Sequence, residues 1–161
     1  MNTLKSKTRD ESRAAMTELV LPNDANIIGN LLGGRLLHWI DISGALAASR
    51  HAGGLVATVY MDAVEFKHPI KTGWIVTLNS YVTWTGETSL ETAVEVYAEN
   101  PLDGTKQFIN RVYIMFVAVD KDGLKRPVAP LLCKNQSETD EFNAGFIRKQ
   151  NRKKISGTSH P

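Results

Sequence analysis

The sequence predicts an α+β fold: an antiparallel sheet of about five strands wrapped around one long central helix, with a C-terminal helix after it. Three observations carry that expectation. A proline-free, strongly apolar segment of helical length lies between Gly33-Gly34 and Gly53-Gly54. Segments of period two, rich in β-formers, follow it and are joined by loops of hairpin length. The chain then closes on a polar, helix-compatible segment from Glu138 to Lys154. Short loops force antiparallel neighbours, and a sheet of that size must bury one face under the one long apolar helix available.

Residues 1–16 are polar and charged without a clear period and read as a mobile tail. Thr17–Leu21 forms a first short strand, closed by Pro22. The turn chemistry of Pro22, Asn23, Asp24 and Asn26 leads to Gly33-Gly34 and the central helix. Leu36, Leu37, Trp39, Ile40, Ile42, Ala45, Leu46, Ala47 and Ala48 leave that helix no wide polar face, so it is expected to be buried on most of its circumference. Gly53-Gly54 end it. Strands are then expected over Leu55–Phe66, Trp74–Thr85, Ser89–Glu99 and Gln107–Val119. The turns between them fall at His68-Pro69 with Thr72-Gly73, at Gly86-Glu87, and at Pro101–Gly104. This places one globular domain over residues 17–132 and a helical, basic tail over 133–161.

The bulk numbers narrow the function. A chain of 161 residues holds one domain with a genuine core and is short for two. A net charge of +2, from 19 Lys+Arg against 17 Asp+Glu, gives no general argument for a nucleic-acid or membrane partner. The single cysteine, Cys133, excludes an intrachain disulfide framework and suits a reducing compartment. No apolar run is long enough for a membrane span and no signal-peptide core is visible, so the expected location is the cytoplasm.

The candidate chemistry sits on the central helix. Asp41 is a lone carboxylate whose helical neighbours Leu37, Ile40, Gly44, Ala45 and Ala48 offer no charge partner. An unpaired carboxylate in such surroundings costs several kcal/mol, so it signals either a partner from elsewhere or a chemical task. Gly33 and Gly34 stand at the helix N-terminus, where free N–H groups and the positive end of the dipole collect. Alone, each feature has a plain structural reading: a backbone-bonded Asp, a helix-entry turn, a turn-forming Asn26. Cys133 has no neighbour that would lower its pKa, and His38, His51 and His68 lack metal-ligand spacing.

Read in order, the motifs go further. The segment Pro22-x-Asp24-Ala25-Asn26-x-x-Gly29-Asn30-x-x-Gly33-Gly34 continues to Asp41 and Ala47-Ala48-x-Arg50-His51. It is followed by Val64-x-Phe66-x-x-Pro69-Ile70-x-x-Gly73, Gly86-x-Thr88-Ser89-x-Glu91, Glu99-x-Pro101, Phe116–Val119 and Arg126-Pro127-Val128-x-Pro130-Leu131. Over residues 17–132 this resembles the hotdog-fold acyl-CoA thioesterases of the cytosolic acyl-CoA hydrolase type. The resemblance implies hydrolysis of acyl-CoA thioesters by a homodimer with a continuous sheet, often as a trimer of dimers; active sites shared between two chains are expected because Gly33 and Asp41, eight residues apart on one helix, are too far apart to serve one carbonyl. It requires no cofactor, coenzyme A being part of substrate and product.

The resemblance makes Asp41 and Asn26 the catalytic residues, and the chemistry of thioester hydrolysis suggests roles for them and for their neighbours. Asp41 would be general base or nucleophile, Asn26 would orient water or the thioester oxygen, and Gly33 and Gly34 would stabilise the oxyanion with backbone amides. Thr88, Ser89 and Gly86 would line the ligand channel, and Lys67, Lys71, Arg111 and Arg126 are candidates for coenzyme A phosphates. The chain departs from the family pattern at Trp74, where Asp is common, and at Glu87, where Arg is common. A non-catalytic acyl-CoA sensor on the same fold is the alternative; it would need the channel without the Asp41–Asn26 pair. A hotdog dehydratase would carry His five positions after the Asp, where this chain has Leu46.

Overall fold

The computed structural model describes residues 4–157. In chain order it contains β1 (Lys7–Thr8), β2 (Ala14–Leu19), α1 (Gly33–Ala52), β3 (Val56–Met61), β4 (Ile75–Thr85), β5 (Ser89–Glu99), β6 (Lys106–Ala118), β7 (Leu131–Leu132) and α2 (Gln136–Gly157). The main sheet has the order β2-β4-β5-β6-β3 and every pair in it is antiparallel. The fold is thus the expected curled five-stranded sheet with a long helix and a C-terminal helix. No helix among the described residues is long and apolar enough to cross a membrane.

Helix α1 lies in the hollow of the sheet because its sequence gives one continuous buried stripe. Leu36, Trp39, Ile40, Ser43, Gly44, Ala47, Ala48 and His51 follow the three- and four-residue helical step and are all buried. The small residues in the stripe permit close approach. A Cβ on Gly44 would stand 2.9 Å from both Ile114 and Thr92. Facing them are Val76, Leu78 and Val82 of β4, Leu90, Val94 and Val96 of β5, and Val112, Ile114 and Phe116 of β6. One polar pair crosses the seam, with Ser80 Oγ donating to the Ser43 carbonyl at 2.7 Å. The helix ends at Gly53, whose φ of 65° requires a left-handed residue and lets its N–H bond back to Ser49.

Three expectations are corrected. The helix is not buried on most of its circumference, because one sheet covers one face only. Ile42 and Leu46 remain 36% and 40% exposed. Residues 7–16 are not a mobile tail: β1 pairs with β7, and β2 begins at Ala14 rather than Thr17. Arg9 is buried there because its guanidinium meets Glu141 of α2 at 3.0 Å and lies over the Tyr81 ring. The strand expected over Leu55–Phe66 stops at Met61; Asp62 still donates its backbone N–H to the Tyr113 carbonyl of β6, and its side chain pairs with Arg152.

Helix α2 covers the outer face of the sheet through charge rather than apolar periodicity. Glu91 of β5 is fully buried and accepts from Arg148, Arg152 and Thr83. Arg152 also binds Asp62 through two nitrogens. Such a buried network is costly unless every charge is met, and the loss of either arginine would leave Glu91 exposed to that cost. Gly145 makes the contact possible, since a Cβ there would come within 2.9 Å of Trp84 and Glu91.

Candidate active site

The loop before α1 is built to present donors. A short 3-10 turn at Pro22–Asp24 places Asp24 so that its carboxylate accepts from the Leu21 N–H and pairs with Arg35. Its carbonyl takes the Leu32 N–H. Asn26 follows with its side-chain oxygen committed: Oδ1 accepts from the N–H groups of Ile28 (3.1 Å) and Asn30 (3.0 Å). That Asx turn fixes the amide plane and leaves Nδ2 as a donor with no partner among the described residues. Three residues beyond Asn30, α1 begins without a side-chain cap, so the N–H groups of Gly33 and Gly34 also have no partner among the described residues.

Asn26 and Gly33 share a cavity of about 310 Å³ with Asn30, Leu36, Phe66, His68 and Ile109. Phe66 closes over the helix terminus; a Cβ on Gly33 would stand 3.2 Å from its ring. Gly34 has nothing within 4 Å of a Cβ, so its bareness serves no packing within the chain.

Asp41 lies elsewhere. Eight residues separate it from Gly33, about 12 Å along a helix rising roughly 1.5 Å per residue. It is partly exposed rather than buried, and it has a partner that its helical neighbours could not supply: Thr58 Oγ1 of β3 donates to Oδ1 at 2.8 Å. Thr58 escaped sequence reading because a threonine in a β-rich segment is unremarkable and only the packing of β3 on α1 brings it within reach.

Thr88 and Ser89 line a second cavity, of about 490 Å³, against β3, β6 and α2. None of the basic candidates is there. Lys67 pairs with Glu65 on an exposed loop, and Arg111 pairs with Glu95. Arg126 is a clamp whose guanidinium donates to the Val119 carbonyl just after β6 and to the Ala52 carbonyl at the end of α1. Lys71 is exposed beside the first cavity's loop, its backbone bridged to Asn30. At Gly86, in the tight β4–β5 turn, a Cβ would meet the Trp84 ring at 2.6 Å. The cations that do line the second cavity are Lys125, Lys149, Arg152 and Lys153. The readable signal was the four-residue spacing of Lys149 and Lys153, which puts both on one face of a helix.

Comparison with known proteins settles the family. The model of the thioesterase superfamily matches residues 28–105. An uncharacterised acyl-CoA thioester hydrolase of Bacillus subtilis (strain 168) is 33% identical over 153 residues, covering 95% of this chain and 89% of that protein. The chain belongs to the thioesterase superfamily. Its fold matches a crystal structure of an apo-hexameric acyl-CoA thioesterase with a TM-score of 0.89 at 36% identity, covering 95% of this chain and 98% of that one. It also matches the acyl-CoA hydrolase of Staphylococcus aureus in complex with butyryl coenzyme A and coenzyme A, at a TM-score of 0.86 and 29% identity, covering 96% and 94%. Alanine variants of an aspartate, an asparagine and a threonine of that hydrolase have also been solved. Mammalian thioesterases match as well, but the chain spans only 22–35% of their length.

Two surfaces of this thioesterase chain bear on how its site could be completed. β3 is an edge strand of the main sheet, with Val59 60% exposed. Beside it runs the uncovered side of α1, carrying Ile42 and Leu46 around Asp41. An unpaired edge next to an apolar helix face is the kind of surface that pairs with a second chain.

Proposed function

We propose that this protein hydrolyses acyl-CoA thioesters to a carboxylic acid and coenzyme A, at sites each built from two copies of the chain. One copy supplies the oxyanion donors, Asn26 Nδ2 and the free N–H groups of Gly33 and Gly34. The other supplies Asp41, held by Thr58. Water attacks the thioester carbonyl, Asp41 takes its proton, and the tetrahedral oxyanion is held by the donors. Collapse breaks the C–S bond, and the leaving thiolate receives the proton from Asp41. The hydroxyl bond on Oδ1 leaves Oδ2 open, either to accept from water as a base or to attack the thioester directly to form an anhydride. Single turnover in ¹⁸O-water with recovery of the protein separates the two, because only the anhydride route leaves label in Asp41.

The carrying observation is that the donors and the carboxylate are both present, with Asp41 about two turns along the same helix. Reacting atoms must come within about 3–3.5 Å, so one helix cannot supply both to one carbonyl. A two-fold partner bringing β3 beside β3 and α1 antiparallel to α1 would set the second Asp41 at the first Gly33. The Staphylococcus aureus variants support the residue set. Its altered asparagine precedes the aspartate by fifteen positions and its altered threonine follows by seventeen, as Asn26 and Thr58 do for Asp41 here. The hexameric relative favours three such dimers together. The deciding experiment is a panel of acyl-CoAs from acetyl to palmitoyl with free-thiol detection; thiol release from none of them would leave only the sensor reading.

A further inference from the structure

The cavity of Asn26 and Gly33 holds one polar atom that neither the fold nor the oxyanion donors account for. Asn30 Oδ1 belongs to a lining residue, is buried, and has no hydrogen-bond partner among the described residues. Buried acceptors are nearly always paired, so an orphan in the wall of a cavity points to a donor on what enters it. The other acceptors of the lining loop are taken. Asn26 Oδ1 receives two N–H groups, and the carbonyls of Asn26, Asn30 and Ile70 accept from Gly29, Asn26 and Leu31. His68 is exposed on its loop, where solvent can meet its ring. Asn30 is also held rigidly against Asn26. Its N–H donates to Asn26 Oδ1 at 3.0 Å, its carbonyl takes the Asn26 N–H at 2.8 Å, and its backbone bridges to Lys71. A thioester group carries no donor. The water that attacks it carries two.

Resting on the hydrolase reading and its general-base route, we propose that Asn30 is a further catalytic residue, whose Oδ1 accepts the second hydrogen of the attacking water. A water aims a lone pair at a carbonyl carbon only when both of its hydrogens are held elsewhere. The partner's Asp41 accepts one and Asn30 the other. The water oxygen then bonds to carbon, the carbonyl electron pair moves to the oxygen held by Asn26 and the glycine amides, and the first hydrogen passes to Asp41. The second hydrogen stays on the new hydroxyl throughout and leaves with the carboxylic acid, while Asp41 returns its proton to the departing thiolate. As its oxygen bonds to carbon, that hydroxyl becomes a stronger donor, so the contact with Asn30 tightens towards the transition state and acts on rate rather than on substrate affinity.

Methanol separates this role from any other. It gives one hydrogen to the base as water does, but carries a methyl group where water has its second hydrogen, so its attack needs no acceptor at Asn30. Wild type, Asn30→Leu, Asn30→Ala and Asn30→Asp are given the acyl-CoA that the wild type turns over fastest, in water containing a fixed fraction of methanol. The carboxylic acid and the methyl ester are counted, with thermal melts alongside. One hydrogen bond is worth about tenfold. Asn30→Leu should therefore raise the ester-to-acid ratio about tenfold, through slower hydrolysis, without lowering the melting temperature, because the side chain gives up no bond within the chain. Asn30→Ala should raise it too and serves if the leucine does not fold. Asn30→Asp, nearly isosteric and still an acceptor, should keep the wild-type ratio. An unchanged ratio in the folded Leu and Ala variants would overturn the proposal, even where both products fall together, since Asn30 would then be structural. No ester from any variant, or a ratio raised as far by Asp, would overturn it as well. A wild type that releases thiol from no acyl-CoA sinks the hydrolase reading and this role with it, whereas an unchanged ratio in active variants removes only the role.

Discussion

Removing the hydroxyl of Thr58 without changing its shape is the sharpest probe of the proposed carboxylate. Thr58→Val keeps the branched β-carbon, so β3 should retain its place, but the 2.8 Å bond to Asp41 Oδ1 is lost. Hydrogen bonds to charged groups are worth about 1.5–3 kcal/mol. Thr58 is exposed and Asp41 only partly buried in the single chain, which puts this bond at the weak end, about 1.5 kcal/mol. If that bond holds the carboxylate in its reacting orientation, kcat should fall about tenfold while KM changes little. Thr58→Ser restores the hydroxyl and should recover most of the loss, an outcome that a merely packing role for the methyl group does not produce. The assay is steady-state thiol release on one acyl-CoA for all three proteins, with thermal melts alongside. Wild-type kcat in a folded Thr58→Val protein would refute the role, and so would a Ser variant as slow as the Val variant.

Three further outcomes are expected. Asn26→Ala and Asp41→Asn should each be nearly inactive alone, the latter by about 10²–10⁴-fold, yet purified mixed dimers should regain up to half the wild-type activity; mixed dimers as dead as both parents would place the whole site within one chain. Gly34→Val should cut turnover by about 10²–10³-fold while shifting the melting temperature little, because a side chain there meets open space within the chain but would block a docked carbonyl. Stability should also carry the mark of His51, fully buried with Nε2–H donating to the Ala129 carbonyl at 2.9 Å, and with a pKa lowered mainly by burial. Below about pH 6.5 the unfolded chain binds a proton that the native state resists, so this contribution is complete above that pH and is lost as pH falls towards the lowered native value. Urea midpoints at pH 7.5 and 5 should therefore differ less in His51→Gln than in wild type, and equal differences would exclude His51 as a source.

The fold was legible where one physical rule acts over a short range. Strand β5 spans Ser89–Glu99 as its alternation predicts, β4 and β6 agree to one residue at each end, and α1 ends at the glycine that the left-handed cap demands. Legibility fails where polar residues are buried by partners far along the chain. Arg9 looks like tail because its partner Glu141 is 132 residues away. Helix α2 looks like a solvated end because the acid that holds it, Glu91, lies 57 and 61 residues before its arginines. Hydrophobic periodicity cannot see either, since the force that docks these segments is charge meeting charge under cover of the sheet.

The candidate site divides in the same way. Gly33, Gly34 and Asn26 are readable because what marks them is local, an uncapped helix start for the glycines and an Asx turn for Asn26. Asp41 was noticed for a reason that the structure revises. It stands out not as a charge sunk in apolar surroundings but as a carboxylate on the open border of α1, beside Ile42 and Leu46 and bonded to a strand at the sheet's edge. A helix whose apolar residues exceed what one sheet can cover carries information about a second surface. For α1 that excess, Ile42 and Leu46, lies beside the one carboxylate, so the apolar pattern that made the helix look buried all round marks the surface where the proposed shared site would take its second chain.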